Sequence, residues 1–163
     1  STISADNCPN SRMVLLKGFD SNGFIFYTNS KSKKGISIKQ NPNVALNFHW
    51  KSLLRQIRIE GKAIEVSTKE SNEYFNTRPK ESKIGAWTSH QSKNLKSRKF
   101  LIDEFKKMKK EFKDKTIKRP SFWKGFRVEP ILIEFWQDMP FRLHDRVEYK
   151  KINNKWSKRR LYP

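Results

Sequence analysis

Apolar and polar residues alternate in the first third of the chain with the two-residue period of β-strands. Strands are predicted at residues 13–16, 24–28, 44–50 and 54–66. The turn residues Asp20-Ser21-Asn22-Gly23 separate the first two segments and predict a hairpin. Gly61 interrupts the longest segment, where it predicts a bulge or a bend.

Helical spacing of apolar residues marks the middle of the chain. Ser67 and Glu70 have the spacing of a capping box, so a helix is predicted to begin there and to end at Pro79. Other helices are predicted at 31–41, 82–89 and 97–113. The last of these has an apolar face, which we interpret as core-facing, formed by Phe100, Leu101, Phe105, Met108 and Phe112.

The last third of the chain returns to strand patterns. Four closing strands are predicted at 126–128, 132–136, 145–150 and 155–161, and Asn153-Asn154 is a hairpin turn between the last two. No internal repeat and no linker interrupts the sequence. Many strands around a few helices indicate a mainly β fold, a β-barrel with helical inserts, formed as one domain by residues 1–163.

Positive charge is the strongest feature of the composition. Lys and Arg number 36 against 16 acidic residues, which gives a formal net charge of +20. Such a surface attracts anions, and it favours nucleic acid, anionic lipid or phosphorylated small molecules as partners. Lys is abundant together with Ile and Asn, as in proteins from AT-rich genomes, so charge alone does not select the partner.

Several classes of protein are disfavoured by what the sequence lacks. No apolar run is long enough to span a membrane, and the first ten residues contain no signal-peptide core. The single Cys8 excludes an intrachain disulfide and a cysteine-based zinc site, and it fits a cytoplasmic location. The three histidines lack metal-ligand spacing, so no metal is expected.

The densest chemistry lies in Arg142-Leu143-His144-Asp145-Arg146. If these residues are extended, Arg142, His144 and Arg146 share one face of a strand. Two guanidiniums beside an imidazole suit an anionic, planar ligand, because arginine offers a flat fork of donors and stacks on rings. The alternative interpretation is a solvated, salt-bridged edge strand.

The order of short motifs along the chain resembles the pyridoxamine 5′-phosphate oxidase family. The matching motifs run across nearly the whole chain, and they are Arg12-Met13-Val14-Leu15-Leu16-Lys17-Gly18, Phe26-Tyr27-Thr28-Asn29, Arg55-Gln56-Ile57-Arg58-Ile59-Glu60-Gly61, Tyr74-Phe75-Asn76-Thr77-Arg78-Pro79, Ser82-Lys83-Ile84-Gly85-Ala86, Ser89-His90-Gln91-Ser92, Pro120-Ser121-Phe122-Trp123, Glu134-Phe135-Trp136-Gln137 and Arg142-Leu143-His144-Asp145-Arg146. An amino-terminal segment that precedes these motifs in the family is expected to be absent here.

The resemblance implies an FMN-binding split barrel that works as a homodimer, with FMN held between the subunits. Matched by position, the flavin contacts are Arg12, Val14, Leu15, Lys17, Tyr27, Thr28, Ser32, Lys33, Lys34, Gln56, Gln91, Ser92, Trp136 and Arg146. The substrate contacts are Lys17, Tyr74, Arg78, Ser82, Arg142 and His144. Lys33 departs from the arginine usual in the family, Lys124 from a glycine, and Met139-Pro140 from a glycine-rich turn.

The implied activity belongs to vitamin B6 biosynthesis and salvage. Pyridoxamine 5′-phosphate or pyridoxine 5′-phosphate would be oxidised to pyridoxal 5′-phosphate, with dioxygen as acceptor and hydrogen peroxide as product. Arg142 and His144 are the implied catalytic residues, which orient the 4′ group of the substrate. Three alternatives remain open: a related split-barrel oxidase acting on another ring, a flavin-binding protein without activity, and a basic nucleic-acid-binding β-barrel.

Overall fold

Nine antiparallel strands form one continuous sheet in the computed structural model, which describes residues 1–163. The strands are β1 (Thr2–Ile3), β2 (Pro9–Asn10), β3 (Gly18–Asp20), β4 (Gly23–Asn29), β5 (Asn43–Trp50), β6 (Arg55–Glu65), β7 (Trp123–Gln137), β8 (Asp145–Ile152) and β9 (Lys155–Leu161). The helices are α1 (Lys33–Gln40), α2 (Thr68–Thr77), α3 (Lys80–Thr88) and α4 (Arg98–Glu111). The prediction of a mainly β fold with helical inserts is confirmed.

Strand β7 organises the sheet because it pairs with three neighbours. β6 follows one of its edges, while β4 pairs with its first half and β8 with its second half on the other edge. The main path runs β2-β1-β5-β6-β7-β4-β3, and the β8–β9 hairpin joins through β7. These pairings do not close the sheet into a ring. No helix is long and apolar enough to cross a membrane.

Two hydrophobic clusters hold the helices against the sheet. The first lies beneath α1 and contains Phe26, Ile38, Val44, Ile59, Ala63, Phe126 and Val128. The second joins α2 and α3 to the start of β7 and contains Phe75, Ile84, Ile117 and Trp123. Full burial of a side chain such as Ile59 or Phe75 stabilises the fold by about 1.5–3 kcal/mol.

Serine caps begin three of the four helices. Ser67 Oγ accepts a hydrogen bond of 3.0 Å from the Glu70 N–H, as the capping-box spacing predicts. Ser32 and Ser97 cap α1 and α4 in the same way. The predicted apolar face of α4 is only partly covered: Phe100 is 44% exposed, and the helix contains no fully buried residue.

Two strand predictions need correction. Residues 13–16 form no strand, and Met13 and Leu15 are 93% and 69% exposed. Within this segment, Val14 alone packs partly against the first hydrophobic cluster. The segments 126–128 and 132–136 are parts of one continuous strand, β7. Pro130 lies within it, opposite Gly61, at the point where the β6–β7 register shifts. A proline, which has no N–H, is tolerated at such a bulge.

The predicted extended face at residues 142–146 is also wrong. Arg142 ends a short 3-10 turn, and β8 begins only at Asp145. Phe141 and Arg142 have positive φ angles of 59° and 62°, which non-glycine side chains adopt at an energetic cost. The Met139-Pro140 pair opens this turn, and Pro140 occupies its first helical position. The side chain of Arg142 consequently points from a turn and not from a strand.

Candidate functional site

Most of the predicted site residues lie in three groups within one chain. An anion pocket contains Arg12, Thr28, Ser32, Lys34 and Gln91. An aromatic pocket is lined by Leu15, Lys17, Tyr27, Tyr74, Arg78 and Ser82. A strand cluster on β6, β7 and the start of β8 contains Gln56, Trp136, His144 and Arg146.

The anion pocket surrounds a buried ammonium group. Lys34 is only 8% exposed, although it lies in the first turn of α1. Its Nζ donates to Thr28 Oγ1 at 3.0 Å and to Gln91 Oε1 at 3.1 Å, and Ser32 Oγ lies at 3.5 Å. All of these acceptors are neutral, and Lys34 forms no ion pair with a carboxylate. The positive charge is therefore buried without compensation from within the chain.

The electrostatics of this pocket favour an anionic ligand. Burial lowers the pKa of Lys34, and the positive charge of Arg12 lowers it further. Burial also lowers the pKa of Arg12, whose Nη1 donates to Thr2 Oγ1 at 2.7 Å and to the Asn10 carbonyl at 2.9 Å. A phosphate would counteract both pKa shifts, since an opposite charge nearby stabilises a cation. Several cations and hydroxyl groups at close quarters suit a phosphate group.

The aromatic pocket is built from stacked rings on β4, α2 and β7. Tyr27 stacks on Tyr74 at 4.2 Å between ring centroids and on Trp123 at 4.9 Å, with the planes within 8° of parallel. These rings border a cavity of about 310 Å³. Burial, with a smaller effect from Glu70, raises the pKa of Tyr27 to about 12. Tyr27 therefore keeps its phenolic proton at neutral pH.

Arg78, which lines this cavity, carries a donor without a hydrogen-bond partner. Its guanidinium carbon lies 4.8 Å from the centroid of Trp123 and 5.4 Å from that of Phe75. Its Nη1 is the one buried side-chain nitrogen or oxygen in the protein without a hydrogen-bond partner. Burial lowers the pKa of Arg78. An unpaired buried donor is costly, so its presence beside a cavity indicates a missing acceptor.

The strand cluster is aligned by sheet register. Trp136 on β7 lies directly opposite Gln56 on β6 and Arg146 on β8. Gln56 and Trp136 line a cavity of about 590 Å³ that shares no residue with the aromatic pocket. The imidazole of His144 lies 4.7 Å from the Trp136 ring centroid. Indole, amide and imidazole thus form one patch that can receive a flat ring.

His144 has two neighbours that sequence reasoning did not identify. Its Nδ1 lies 2.9 Å from Asp138 Oδ1, and the Met139 N–H points to the same nitrogen at 3.3 Å. Only a protonated Nδ1 can donate to Asp138, whereas an unprotonated Nδ1 accepts from Met139. The turn at residues 138–144 folds back to make both contacts, and the linear sequence carries no signal for this return.

The remaining predicted residues are not joined to the three groups by side-chain contacts. Lys33, Ser92 and Arg142 are exposed and form no side-chain hydrogen bond, and Val14 packs half-buried against the first hydrophobic cluster. Trp123, which sequence analysis did not select as a site residue, is central to the aromatic pocket. Lys124 forms an ion pair of 2.6 Å with Glu65.

Comparison with known protein families matches nearly the whole chain. Residues 1–111 match the family model described as pyridoxamine 5′-phosphate oxidase. Residues 123–163 match a model described as the pyridoxine 5′-phosphate oxidase C-terminal dimerisation region. A pyridoxine/pyridoxamine 5′-phosphate oxidase of Granulibacter bethesdensis is 48% identical over 99% of this chain and 78% of its own length. The pyridoxine/pyridoxamine 5′-phosphate oxidase 2 of Hydrogenovibrio crunogenus is 49% identical over 100% of this chain and 76% of its own length.

Solved structures share the fold. PhzG from Burkholderia lata 383, crystallised with tetrahydrophenazine-1-carboxylic acid, superposes with a TM-score of 0.93 and 28% identity over 99% of this chain and 79% of that one. A pyridoxamine 5′-phosphate oxidase-related, FMN-binding protein from Nostoc punctiforme superposes with a TM-score of 0.79 over 99% of this chain and 84% of that one. At 15% identity, the second likeness shows the fold alone. The predicted split-barrel fold is confirmed.

Proposed function

Because the chain belongs to the pyridoxine/pyridoxamine 5′-phosphate oxidase family of oxidoreductases, we propose that it converts pyridoxamine 5′-phosphate or pyridoxine 5′-phosphate to pyridoxal 5′-phosphate with FMN as cofactor. One observation carries the proposal. The Lys34 ammonium and the Nη1 atom of Arg78 are buried in two separate places, and neither side chain forms an ion pair with a carboxylate. Two pockets of this kind suit a reaction in which cofactor and substrate each carry a phosphate.

The cofactor is assigned to the anion pocket and the strand cluster. Arg12, Ser32 and Lys34 hold the FMN phosphate, with Lys33 reaching it from the first turn of α1. Gln56 and Gln91 can donate to and accept from the edge of the flavin ring. Further contacts, taken from the family motifs, are Val14, Leu15, Lys17, Tyr27, Thr28, Ser92, Trp136 and Arg146. FMN held by these residues would supply the redox chemistry: it would take up a hydride from the substrate and, with a proton from solvent, return both electrons to dioxygen as hydrogen peroxide.

The substrate is assigned to the aromatic pocket. Lys17, Tyr74, Arg78 and Ser82 grip its phosphate, and the unpaired Nη1 of Arg78 gains the acceptor that it lacks. Arg142 and His144 orient the 4′ substituent and cover the ring. His144 is held by Asp138, so its other ring nitrogen is free to face the substrate. The contribution of these residues is position and electrostatics rather than covalent chemistry.

The two cavities are completed by a second copy of the chain. The aromatic pocket and the cavity at the strand cluster share no residue. Within one chain, the residues that bind the substrate phosphate are therefore separate from those of the strand cluster that contact the flavin ring. Exposed apolar side chains border this region, among them Met13, Leu15, Trp50, Leu53 and Phe135. An apolar patch of this kind marks an interaction surface. A homodimer buries it and joins one subunit's strand cluster to the other's aromatic pocket.

The test is a combined measurement of flavin content and turnover. Purified protein is expected to show a flavin absorption spectrum and to sediment as a dimer of the 19.5 kDa chain. Peroxide release under air is expected with pyridoxamine 5′-phosphate and to fall sharply with unphosphorylated pyridoxamine. A colourless protein that ignores added FMN would contradict the proposal. Turnover of a reduced phenazine carboxylate without turnover of the phosphorylated vitamers would move the substrate assignment toward that of PhzG-type enzymes.

A further inference from the structure

Glu134 is a buried carboxylate at the centre of the strand cluster. It is 3% exposed on β7, and both of its oxygens are bound by guanidiniums. Arg146 donates from Nε to Oε1 at 3.0 Å and from Nη2 to Oε2 at 3.1 Å, and Arg58 Nη2 donates to Oε2 at 2.7 Å. The hydrogen bonds from Arg146, followed by those from Arg58, lower the pKa of Glu134. Glu134 is therefore ionised and fully paired.

This pairing fixes the orientation of the Arg146 guanidinium. The two parallel hydrogen bonds to Glu134 define the plane of the guanidinium, and Nη1 donates to the Tyr162 carbonyl at 3.0 Å. A guanidinium has five N–H donors, so three are used and two remain for a ligand. The interaction with Glu134 also raises the pKa of Arg146, which stays charged. Bidentate geometry of this kind gives directional precision as well as energy.

The fixed guanidinium lies in the same row as the proposed flavin contacts. Arg146 is directly opposite Trp136, which is opposite Gln56 on the other side. Glu134 precedes Trp136 by two residues on β7 and therefore points to the same face of the sheet. Arg58, directly opposite Glu134, holds the second carboxylate oxygen and prevents the carboxylate from turning. The flavin contacts and the carboxylate thus form two adjacent rows of one face.

We propose that Glu134 is a positioning residue for the flavin site, acting through Arg146. The inference rests on the proposed function, and it assigns to Glu134 the task of presenting the two free N–H groups of Arg146 to the flavin ring. Without the carboxylate, Arg146 keeps its charge but loses the two bonds that set its plane. Loss of the Glu134 carboxylate is therefore expected to weaken FMN binding, and not only to lower the stability of the fold.

The chain contains a matched control for a buried glutamate. Glu148 on β8 is directly opposite Glu134 in the register, and it is 4% exposed. It accepts a hydrogen bond of 2.6 Å from Arg159 and none from Arg146. Glu148→Gln therefore removes the same buried charge from the same face of the sheet, while the fork between Glu134 and Arg146 is retained.

The experiment measures the dissociation constant of FMN from apoprotein by flavin fluorescence, together with the melting temperature of each apoprotein. Glu134→Gln is expected to weaken FMN binding by about ten- to a hundredfold, because glutamine is uncharged and offers Arg146 one acceptor oxygen instead of two, so the two-point, charge-assisted contact that sets the guanidinium plane is lost. Glu148→Gln is expected to stay within about twofold of wild type, since Glu148 makes no hydrogen bond to Arg146 and the contacts between Glu134 and Arg146 are retained. The double variant Glu134→Gln/Arg146→Ala is expected to bind no more weakly than Arg146→Ala alone.

The outcomes separate positioning from a merely structural role. Wild-type affinity in Glu134→Gln, or equal affinity losses in Glu134→Gln and Glu148→Gln, would overturn the inference, as would additive losses in the double variant. If Glu134→Gln does not fold, Glu134→Asp keeps the charge but shortens the reach, and its FMN affinity is expected to fall. Unchanged affinity in that variant also overturns the inference. If the wild-type protein takes up no FMN, the proposed function itself is contradicted. That outcome is distinguishable from the ones above, which contradict only the role of Glu134.

Discussion

The guanidinium carbon of Arg78 lies 4.8 Å from the ring centroid of Trp123, and its Nη1 is buried without a hydrogen-bond partner. The guanidinium lies against the Trp123 ring, and one of its donors has no acceptor. Cation–π contact stabilises the desolvated charge by about 2 kcal/mol in favourable cases. An arginine held in this way is ready to bind an anion without first being reorganised.

Arg78→Ala is predicted to raise KM for pyridoxamine 5′-phosphate about ten- to a hundredfold while kcat changes little. A phosphate grip is made equally in the ground state and the transition state, so its loss appears in KM. Peroxide release measured over a range of substrate concentrations gives both constants. Unphosphorylated pyridoxamine is the control substrate, and its kcat/KM is expected to be insensitive to the change. Equal losses for both substrates would show that Arg78 does not contact the phosphate.

Lys34→Met is predicted to weaken FMN binding about ten- to a hundredfold without destabilising the apoprotein. The apoprotein carries the ammonium of Lys34 among neutral acceptors, so a similar apolar side chain removes a desolvation cost. The exposed Lys39 on the same helix provides the control Lys39→Met, which is expected to leave both quantities unchanged. Fluorescence titration and chemical denaturation measure the two effects. Strong destabilisation of the Lys34→Met apoprotein would contradict the assignment.

The pH dependence of apoprotein stability gives a separate test of Lys34. Its pKa is lowered from the usual 10.5, so between the lowered value and 10.5 the unfolded chain binds more protons than the folded protein. The free energy of unfolding contributed by Lys34 therefore rises with pH through this window. The stability advantage of Lys34→Met is expected to be largest below the window and to shrink as pH rises through it. If the stability advantage of Lys34→Met over wild type grew with pH instead, the pKa of Lys34 would not be lowered by folding, and this explanation would be wrong.

Arg142→Leu is predicted to reduce turnover strongly while FMN occupancy stays close to that of wild type. Arg142 is exposed on a turn with positive φ angles, and it makes no contact that holds the anion pocket or the strand cluster. Peroxide release and the flavin spectrum are measured on the same samples. Arg98→Leu, at the exposed start of α4, is the control for loss of one surface charge. If Arg142→Leu loses FMN but its remaining holoenzyme turns over normally, Arg142 is a cofactor contact.

Gly125→Ala is predicted to destabilise the protein by about 1–3 kcal/mol and to raise KM. A Cβ at this position would lie 2.6 Å from both Tyr27 Cε1 and Val66 Cγ2, so the Tyr27 ring would have to leave its stack with Tyr74. Gly85→Ala is the control, because a Cβ there meets nothing within 4 Å on helix α3. That change is expected to stabilise by about 0.5–1 kcal/mol. Denaturation curves measure the stability change, and peroxide release measures KM. A KM equal to that of wild type in Gly125→Ala would show that displacement of the Tyr27 ring does not affect substrate binding.

Local patterns in the sequence determined most of the secondary structure. The Ser67 cap, the bulge at Gly61 and the turn at Asn153-Asn154 were predicted correctly, because each depends on residues within a few positions of one another. The ordered motifs likewise identified the family, since nine short segments in one order are rarely matched by chance. All residues that line the aromatic pocket lie within those motifs, although Thr77, Pro79 and Trp123 were not predicted as site residues.

Tertiary structure alone decided how the charged residues are compensated. The apolar run at 13–16 predicted a buried strand, yet Met13, Leu15 and Leu16 are exposed in the chain, and Val14 is the residue of the run that packs against the first hydrophobic cluster. The turn that brings Asp138 to His144 and the fork between Glu134 and Arg146 join residues that lie on different elements or across a reversal of the chain. Sequence spacing shows which residues share an element and a face, whereas burial and pairing depend on which elements meet. The unpaired cations Lys34 and Arg78 could be identified only after every neighbour was placed around them.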